Sequence, residues 1–406
     1  MASALDSWAG HAPAGLVEPA RTLSAMFRDG SRWDPALFAA ALSIGTAQAP
    51  ERRALLNLGD LISAIAELPP AVDGAPWIFD GAVDPHAFDA LGYAAASRGI
   101  AETQRANRQG WWAHAEHHRS FILNAALRAP RTDVAAVFGA GKAFDLPLAD
   151  LARRFGRVIL VDVDAKALEE TSVAAVRDPA LRGRLELRSM DLSGVGARLA
   201  RGIENAIASA GDAAAAEMSL AALCHSYRLS AAPPLLGTGE RADLVVSGLM
   251  LSQLALQAKL LAKHLFEARF GAIPQEMKSR WSLTWNELDL RVQQDHINAL
   301  ADQAELAVVT SDVRHDSTWI DARGGEQLRR DPWLVLGTPM LEERIPRFLE
   351  VLARATWTWR RIQAKPPTHD GVITNVDAVL IRPAANSEHS QSIAKQPDTI
   401  LSHESR

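Results

Sequence analysis

The chain of 406 residues contains one cysteine, Cys224, and only two tyrosines. A lone thiol excludes an intramolecular disulfide and a thiolate metal cage, and it suits a reducing compartment, so a cytoplasmic location is expected. No uninterrupted apolar run approaches the roughly 20 residues that a membrane helix needs. Residues 1–8 also lack the charged start and apolar core of a signal peptide. Basic runs are missing as well, and the formal charge is -5, so neither nucleic acid nor a membrane is an expected partner. A homodimer is compatible with this surface. What is present is ordinary for a globular protein: 48% hydrophobic and 22% charged residues, in a chain long enough for one large α/β domain and a smaller one. Eleven tryptophans are many beside two tyrosines. They serve core packing or line a pocket.

Three regions follow from the hydrophobic period. Residues 1–128 form an N-terminal helical domain, a cap or an oligomerisation unit, with helical spacing at 21–27, 35–43, 52–68 and 85–97 between Pro- and Gly-containing turns. Residues 129–383 alternate strand and helix. Strands are expected near 134–138, 158–162, 185–190, 243–247 and 306–310, and helices near 146–155, 165–176, 252–269 and 286–303. A last helix at 341–354 then leads into a hairpin of strands near 356–362 and 372–382. Residues 384–406, rich in Ser, Gln and His, are expected to be disordered.

The run Val134-Ala-Ala-Val-Phe-Gly-Ala-Gly-Lys-Ala-Phe-Asp145 carries an apolar strand into a Gly-x-Gly turn, and Leu160-Val-Asp-Val-Asp164 ends a second strand in an acid. Glycines let backbone approach a ligand, and an acid at the next strand end can take both hydroxyls of a ribose. This is the layout of a nucleoside-binding βαβ unit. A dinucleotide fingerprint wants a third glycine at position 144, where Phe144 stands, which argues against NAD.

With its glycine turn, acid-ended strands and terminal hairpin, the chain resembles the class I S-adenosylmethionine-dependent methyltransferases over about 131–313 and 341–383. The resemblance implies an α/β, Rossmann-like, seven-stranded, mostly parallel sheet with an antiparallel C-terminal strand. It also implies S-adenosylmethionine as co-substrate, with no metal. Gly139, Ala140 and Gly141 are similar to the family's first motif, under the methionine part of the cofactor. Asp162, followed by Val163, matches its ribose-binding acid, and Asp191 with Met190 matches its adenine site. The acid that the family places on the strand before the glycine turn is missing, since Val137 and Phe138 stand there. Asp145 is either the N-cap of the next helix or the partner of the cofactor's ammonium group. Asp164 reads as an N-cap. Ser247 and Gly248, at the end of the fourth strand, fall where ligands bind in such sheets, and Gln253 is a substrate contact or a solvated side chain.

His114, His117 and His118 follow Trp112 on one expected helix at i, i+3 and i+4. A metal site lacks the rest of its ligands on that helix. In the functional reading Trp112 and His114 are the expected substrate contacts and His117 or His118 the expected base reaching the transfer cavity; in the other reading the three histidines are a polar helix face. His315, expected on a loop after the fifth strand, is a second catalytic candidate. Residues 193–241 and 314–340 are long covers that favour a small-molecule acceptor over a macromolecule. The resulting reading is methyl transfer from S-adenosylmethionine to a small molecule. The alternatives are another transferase using the same cofactor, an NAD(P)-dependent oxidoreductase and a non-catalytic nucleoside-binding module.

Overall fold

A computed structural model describes residues 77–229, 233–237, 239–321, 325–330, 341, 345–346, 348–364 and 370–384. The helices expected before residue 77 and nearly all of the expected disordered tail lie outside the described residues. Among the described residues no helix is long and apolar enough to cross a membrane.

Three helices come first: α1 (Pro85–Ala90), α2 (Tyr93–Ala106) and α3 (Arg108–Arg128). The single helix expected at 85–97 breaks at Gly92, whose φ of 69° lies in the left-handed region. The alternating part follows as β1 (Val134–Phe138), α4 (Leu148–Arg154), β2 (Arg157–Asp162), α5 (Ala165–Ala175), α6 (Pro179–Arg182) and β3 (Leu185–Ser189). Next come α7 (Gly196–Ser209), α8 (Ala213–His225), β4 (Ala242–Gly248), α9 (Leu256–Phe270) and α10 (Gln275–Gln303). The chain closes with β5 (Ala304–Ile320), β6 (Glu326–Arg330), β7 (Leu349–Ile362) and β8 (Asp370–Pro383).

The sheet has the order β3-β2-β1-β4-β5-β8-β7, with β6 added to the outer part of β5. From β3 to β5 every pairing is parallel, whereas β8 is antiparallel to both β5 and β7. The fold is therefore the Rossmann-like, mostly parallel one with a reversed C-terminal strand, here extended to eight strands by β6. Both faces are covered, which explains the unbroken apolar runs of the central strands. Ala136 and Phe138 of β1 join a core under α7 to α10. Ala135 and Val137 join the opposite core under α3, α4 and α5.

Three expectations are corrected at the C-terminal end. The helix expected at 341–354 gives way at Leu349 to β7, because Leu349, Val351 and Ala353 find cross-strand partners on β8 in Pro383, Ile381 and Leu380. The Glu350–Arg382 pair at 2.9 Å joins the same two strands. The fifth strand was expected to end at 310, level with the end of β4, yet β5 runs on to Ile320 against β8 and β6. His315 accordingly lies within a strand, paired with Thr374, and not on a loop.

This overshoot raises a wall of β5, β8 and β7 beyond the carboxyl edge of the parallel strands, and α3 lies against it. Gly110 makes the close approach possible, since a Cβ there would stand 2.1 Å from the Arg360 carbonyl oxygen. Further along, α3 packs Ile122, Ala125 and Ala126 onto the sheet face. The helix thus reaches from one face of the sheet over its carboxyl edge.

One buried acid ties the sheet's entry together. Asp243, at the start of β4, accepts from Asp133 N (2.7 Å), Val134 N (2.9 Å) and Arg131 Nε (3.1 Å). Asp243→Ala would leave two backbone donors without partners. A loss of about 2–4 kcal/mol is expected in urea unfolding, with an unchanged m-value. A loss within error of zero would refute this account of how β1 is held.

Candidate active site

The strand order reverses between β1 and β4, and a crevice outside the carboxyl ends of the strands is expected at such a point. A cleft of about 260 Å³ opens there. Its floor is the turn after β1. Gly139 and Gly141 have φ of 70° and 42°, and a Cβ on Gly139 would lie 2.0 Å from Met250 Sδ. The left-handed backbone at 139 disfavours any side chain, and one placed there would also have to displace Met250. Leu249, after β4, takes a φ of 55° without being glycine, and its N–H donates to Thr310 Oγ1 at 3.0 Å. Strain of this kind persists only where the surroundings hold it, and it clusters at functional sites.

Most of the expected cofactor contacts meet here: Gly139, Ala140, Gly141, Asp145, Asp162, Val163, Met190, Asp191 and Gly248 all line the cleft, as does Gln253. Asp162 has a double duty. Its Oδ2 accepts from Gly141 N and its Oδ1 from Asp164 N, both at 2.9 Å, so the carboxylate braces the glycine turn while facing the cleft. Burial raises its pKa, and the backbone donors only partly oppose that. Asp191 turns its oxygens to Ser193 N (2.9 Å), Ser193 Oγ (2.6 Å) and Gly196 N (2.8 Å), and so organises the start of α7. Burial raises this carboxyl too. Asp164 caps α5 through Ala167 N at 3.0 Å, as expected.

Other expected residues lie elsewhere. Ser247 is buried behind the strand end with its Oγ 2.9 Å from His296 Nε2, and it does not line the cleft. Trp112 is 65% exposed and borders a separate outer groove. His117 is exposed, with Nδ1 donating to Ala113 O at 2.7 Å. His118 and His114 are fully buried and neither lines the cleft, so no histidine of α3 reaches the cavity as a base. The reason is angular. The buried stripe of α3 contains Trp111, His114, Ala115, His118 and Ile122, and His117 falls beyond its edge.

The two buried histidines converge on Asp145. Trp357 Nε1 donates to His114 Nδ1 (3.0 Å), and an indole can only donate. His114 must then carry its proton on Nε2, 3.2 Å from Asp145 Oδ2. His118 donates from Nδ1 to the same oxygen at 2.7 Å, and its Nε2 stands 3.2 Å from Thr310 Oγ1. Burial alone would push Asp145 up, but the histidines outweigh it and hold the carboxyl well below its ordinary 3.8. The three ligand atoms lie within 4.8 Å of one another, close enough for a metal ion. A metal on His114 Nε2 would nevertheless require that ring to give up its last proton, because Trp357 occupies Nδ1. The arrangement serves better to present an ionised carboxylate to the cleft.

Sequence reasoning missed several residues that line the cleft: Tyr93, Trp111, Asp312, Trp359 and Arg361. Tyr93 carries a phenol raised by burial and by the charges of Asp191 and Asp162. Asp312 receives the His315 Nε2 hydrogen bond at 2.9 Å, so His315 stands behind an acid of the cleft. The alternating Thr356-Trp-Thr-Trp run signalled a strand, yet only the overshoot of β5, β7 and β8 brings Trp359 to the cleft.

No family model matches the chain, and no curated protein matches it. Among solved structures it is similar to a proposed RNA methyltransferase from Pyrococcus horikoshii, at 12% identity over 81% of this chain and 98% of that one, with a TM-score of 0.30. It is also similar to a glycopeptide N-methyltransferase (11%, 66% and 98%, TM-score 0.31). A third is magnesium protoporphyrin IX methyltransferase from Synechocystis (12%, 68% and 85%, TM-score 0.26). Likeness at this level says nothing of the reaction or the acceptor.

The buried histidines make stability depend on pH. Burial lowers His114 below 6.5 and lowers His296 to about 4. As pH falls below 6.5, unfolded chains take up protons that the folded protein refuses, so stability declines until the lowered folded values are passed. The Asp145 contribution is complete above 3.8 and is lost only as pH falls below that. Urea unfolding from pH 8 to about 5 should show the decline, and His114→Gln should flatten it. Parallel curves for the two proteins would contradict the buried, neutral state of His114.

Proposed function

We propose that the protein transfers the methyl group of S-adenosylmethionine to a small-molecule acceptor. The observation that carries this reading is the ionised Asp145 beside the glycine turn. A dinucleotide would lay its pyrophosphate against a helix N-terminus directly after that turn. Here the next helix begins only at Leu148, with Pro147, which has no N–H, at its cap. The intervening space holds a carboxylate, which repels phosphate and attracts a cation. The amino-acid ammonium and the sulfonium of S-adenosylmethionine are both cationic and fit this environment.

The residues present suit the rest of the cofactor. Asp162 offers its free lone pairs to the ribose hydroxyls, Met190 supplies an apolar cover for a base, and Gly139 to Gly141 leave room for the methionine chain. Asp191, with three donors already on its oxygens, fits the adenine amino group less fully than the resemblance implied. When bound, the cofactor supplies an activated methyl, so the protein's part is to align the acceptor and keep competing water out. Walls on α2, α3 and the overshooting strands favour a small acceptor. Residues 1–128 act in this reading as the cap, with α1 to α3 as its described part.

Calorimetry with S-adenosylhomocysteine and NADH tests the assignment. The first should bind and the second should not. Asp162→Ala should weaken S-adenosylhomocysteine by about 1.5–3 kcal/mol, and Asp145→Asn should weaken it as well. Preferential binding of NADH, or an unchanged affinity in the folded Asp162→Ala protein, would overturn the reading.

A further inference from the structure

Tyr93 brings to the cleft a hydroxyl that the protein itself leaves unused. The residue lines the cleft together with Asp162, Met190 and Asp191. Its Oη has no hydrogen-bond partner among the described residues, and it is not among the polar atoms closed off from solvent. Burial and then the charges of Asp191 and Asp162 raise the phenol, so it keeps its proton and stays a donor. Its position is fixed by the elements before it. Asp84–Arg201 at 2.6 Å and His86–Glu204 at 2.9 Å tie α1 to α7, and Ala87 and Leu91 sink into the core. Gly92 then turns the chain, and Tyr93 opens α2 with its ring centroid 5.8 Å from that of Phe88.

The surroundings decide what such a hydroxyl can serve. A carboxylate can only accept, and several N–H groups next to the two aspartates are already committed within the protein. Met190 N donates to Asp162 O (2.9 Å), Asp191 N to Gly81 O (3.0 Å) and Gly194 N to Asp191 O (2.9 Å). Ser193 gives both its N–H and its hydroxyl to Asp191 Oδ1, at 2.9 and 2.6 Å. A ribose and an adenine carry acceptor atoms as well as O–H and N–H groups. Asp162 answers the donors, and a neutral phenol answers the acceptors. The phenol feels both the acid that ends β2 and the acid that follows β3. It therefore stands where sugar meets base.

We propose that Tyr93 is a nucleoside-binding residue supplied by the helical cap, its hydroxyl donating to the edge that carries the ribose 2′ oxygen and adenine N3. The proposal rests on the methyl-transfer reading for the identity of that nucleoside. Asp162 accepts from the sugar on the side of the sheet while Tyr93 donates from the side of the cap. The ligand thereby joins α2 to β2, and the cap belongs to the cofactor site as well as to the acceptor space.

The test is calorimetry on the full chain with Tyr93→Phe, which removes one oxygen and keeps the ring. The variant should bind adenosine and S-adenosylhomocysteine about threefold to tenfold more weakly, the size of one neutral hydrogen bond. Its urea midpoint without ligand should match the parent's, because Oη bonds nothing within the described protein. Two analogues, 2′-deoxyadenosine and 3-deazaadenosine, assign the acceptor atom. The parent's advantage over the variant should vanish for the analogue that lacks the contacted atom and persist for the other. An undiminished adenosine affinity in Tyr93→Phe, or a loss that persists with both analogues, would overturn the proposal. So would a lowered midpoint without ligand, or no binding of adenosine to the parent at millimolar concentration. If S-adenosylhomocysteine binds both proteins alike, the proposal falls and the methyl-transfer reading stands. If S-adenosylhomocysteine fails to bind while adenosine binding still depends on Tyr93, that reading falls and the nucleoside contact stands.

Discussion

A carboxylate withdrawn from water needs donors, and Asp145 receives two imidazole N–H groups on one oxygen. Those two hydrogen bonds fix more than a charge. His114 is set by Trp357 on β7, and His118 meets Thr310 on β5. The same Thr310 hydroxyl holds the strained Leu249 N–H after β4. The turn after β1, the first half of α3 and three strands therefore share one polar network. Each link is satisfied only if the others are in place, which is how a buried network specifies a single arrangement. Removing any member would leave a buried donor or acceptor bare.

The parallel half of the fold was legible because its signals are local. An apolar run, two glycines and a strand-ending acid fall within 29 residues from Val134 to Asp162, and each requirement acts on its own neighbours. The floor of the cleft, Gly139 to Gly141 with Asp145 and Asp162, followed from that stretch. The histidine triplet was harder. Residues i, i+3 and i+4 share a face only broadly, since each step turns the helix by about 100°. A buried stripe that takes His114 and His118 therefore leaves His117 at its margin. Asp312 and Trp359 were out of reach for another reason. Nothing near Asp312 in sequence says that β5 continues past 310. That length is set by β8 and β6, whose paired residues stand 51–66 and 6–14 positions farther along.

The overshoot also divides the labour of the site. The parallel strands end at the glycine turn and at Asp162, and supply the features common to nucleoside-binding sheets. The antiparallel wall supplies Asp312, Trp359 and Arg361, which have no counterpart in that common layout. Indole packing stiffens the wall: Trp359 stacks on His114 with ring centroids 4.2 Å apart and meets Trp111 edge-on at 4.6 Å. A rigid wall on strands places its polar groups more precisely than a loop would.

The bond from Trp357 to His114 spans 243 positions of sequence. A ribosome delivers α3 long before it delivers β7, so the nascent helix carries a stripe of tryptophan and histidine with no indole to complete it. Closing a loop of that length has an entropic cost that neighbouring contacts alone do not meet. A chain released before residue 349 would hold every strand of the parallel sheet and still lack the donor that sets the tautomer of His114. Synthesis thus orders the two halves of the cleft in time, with the floor on the parallel strands available first and the antiparallel wall last.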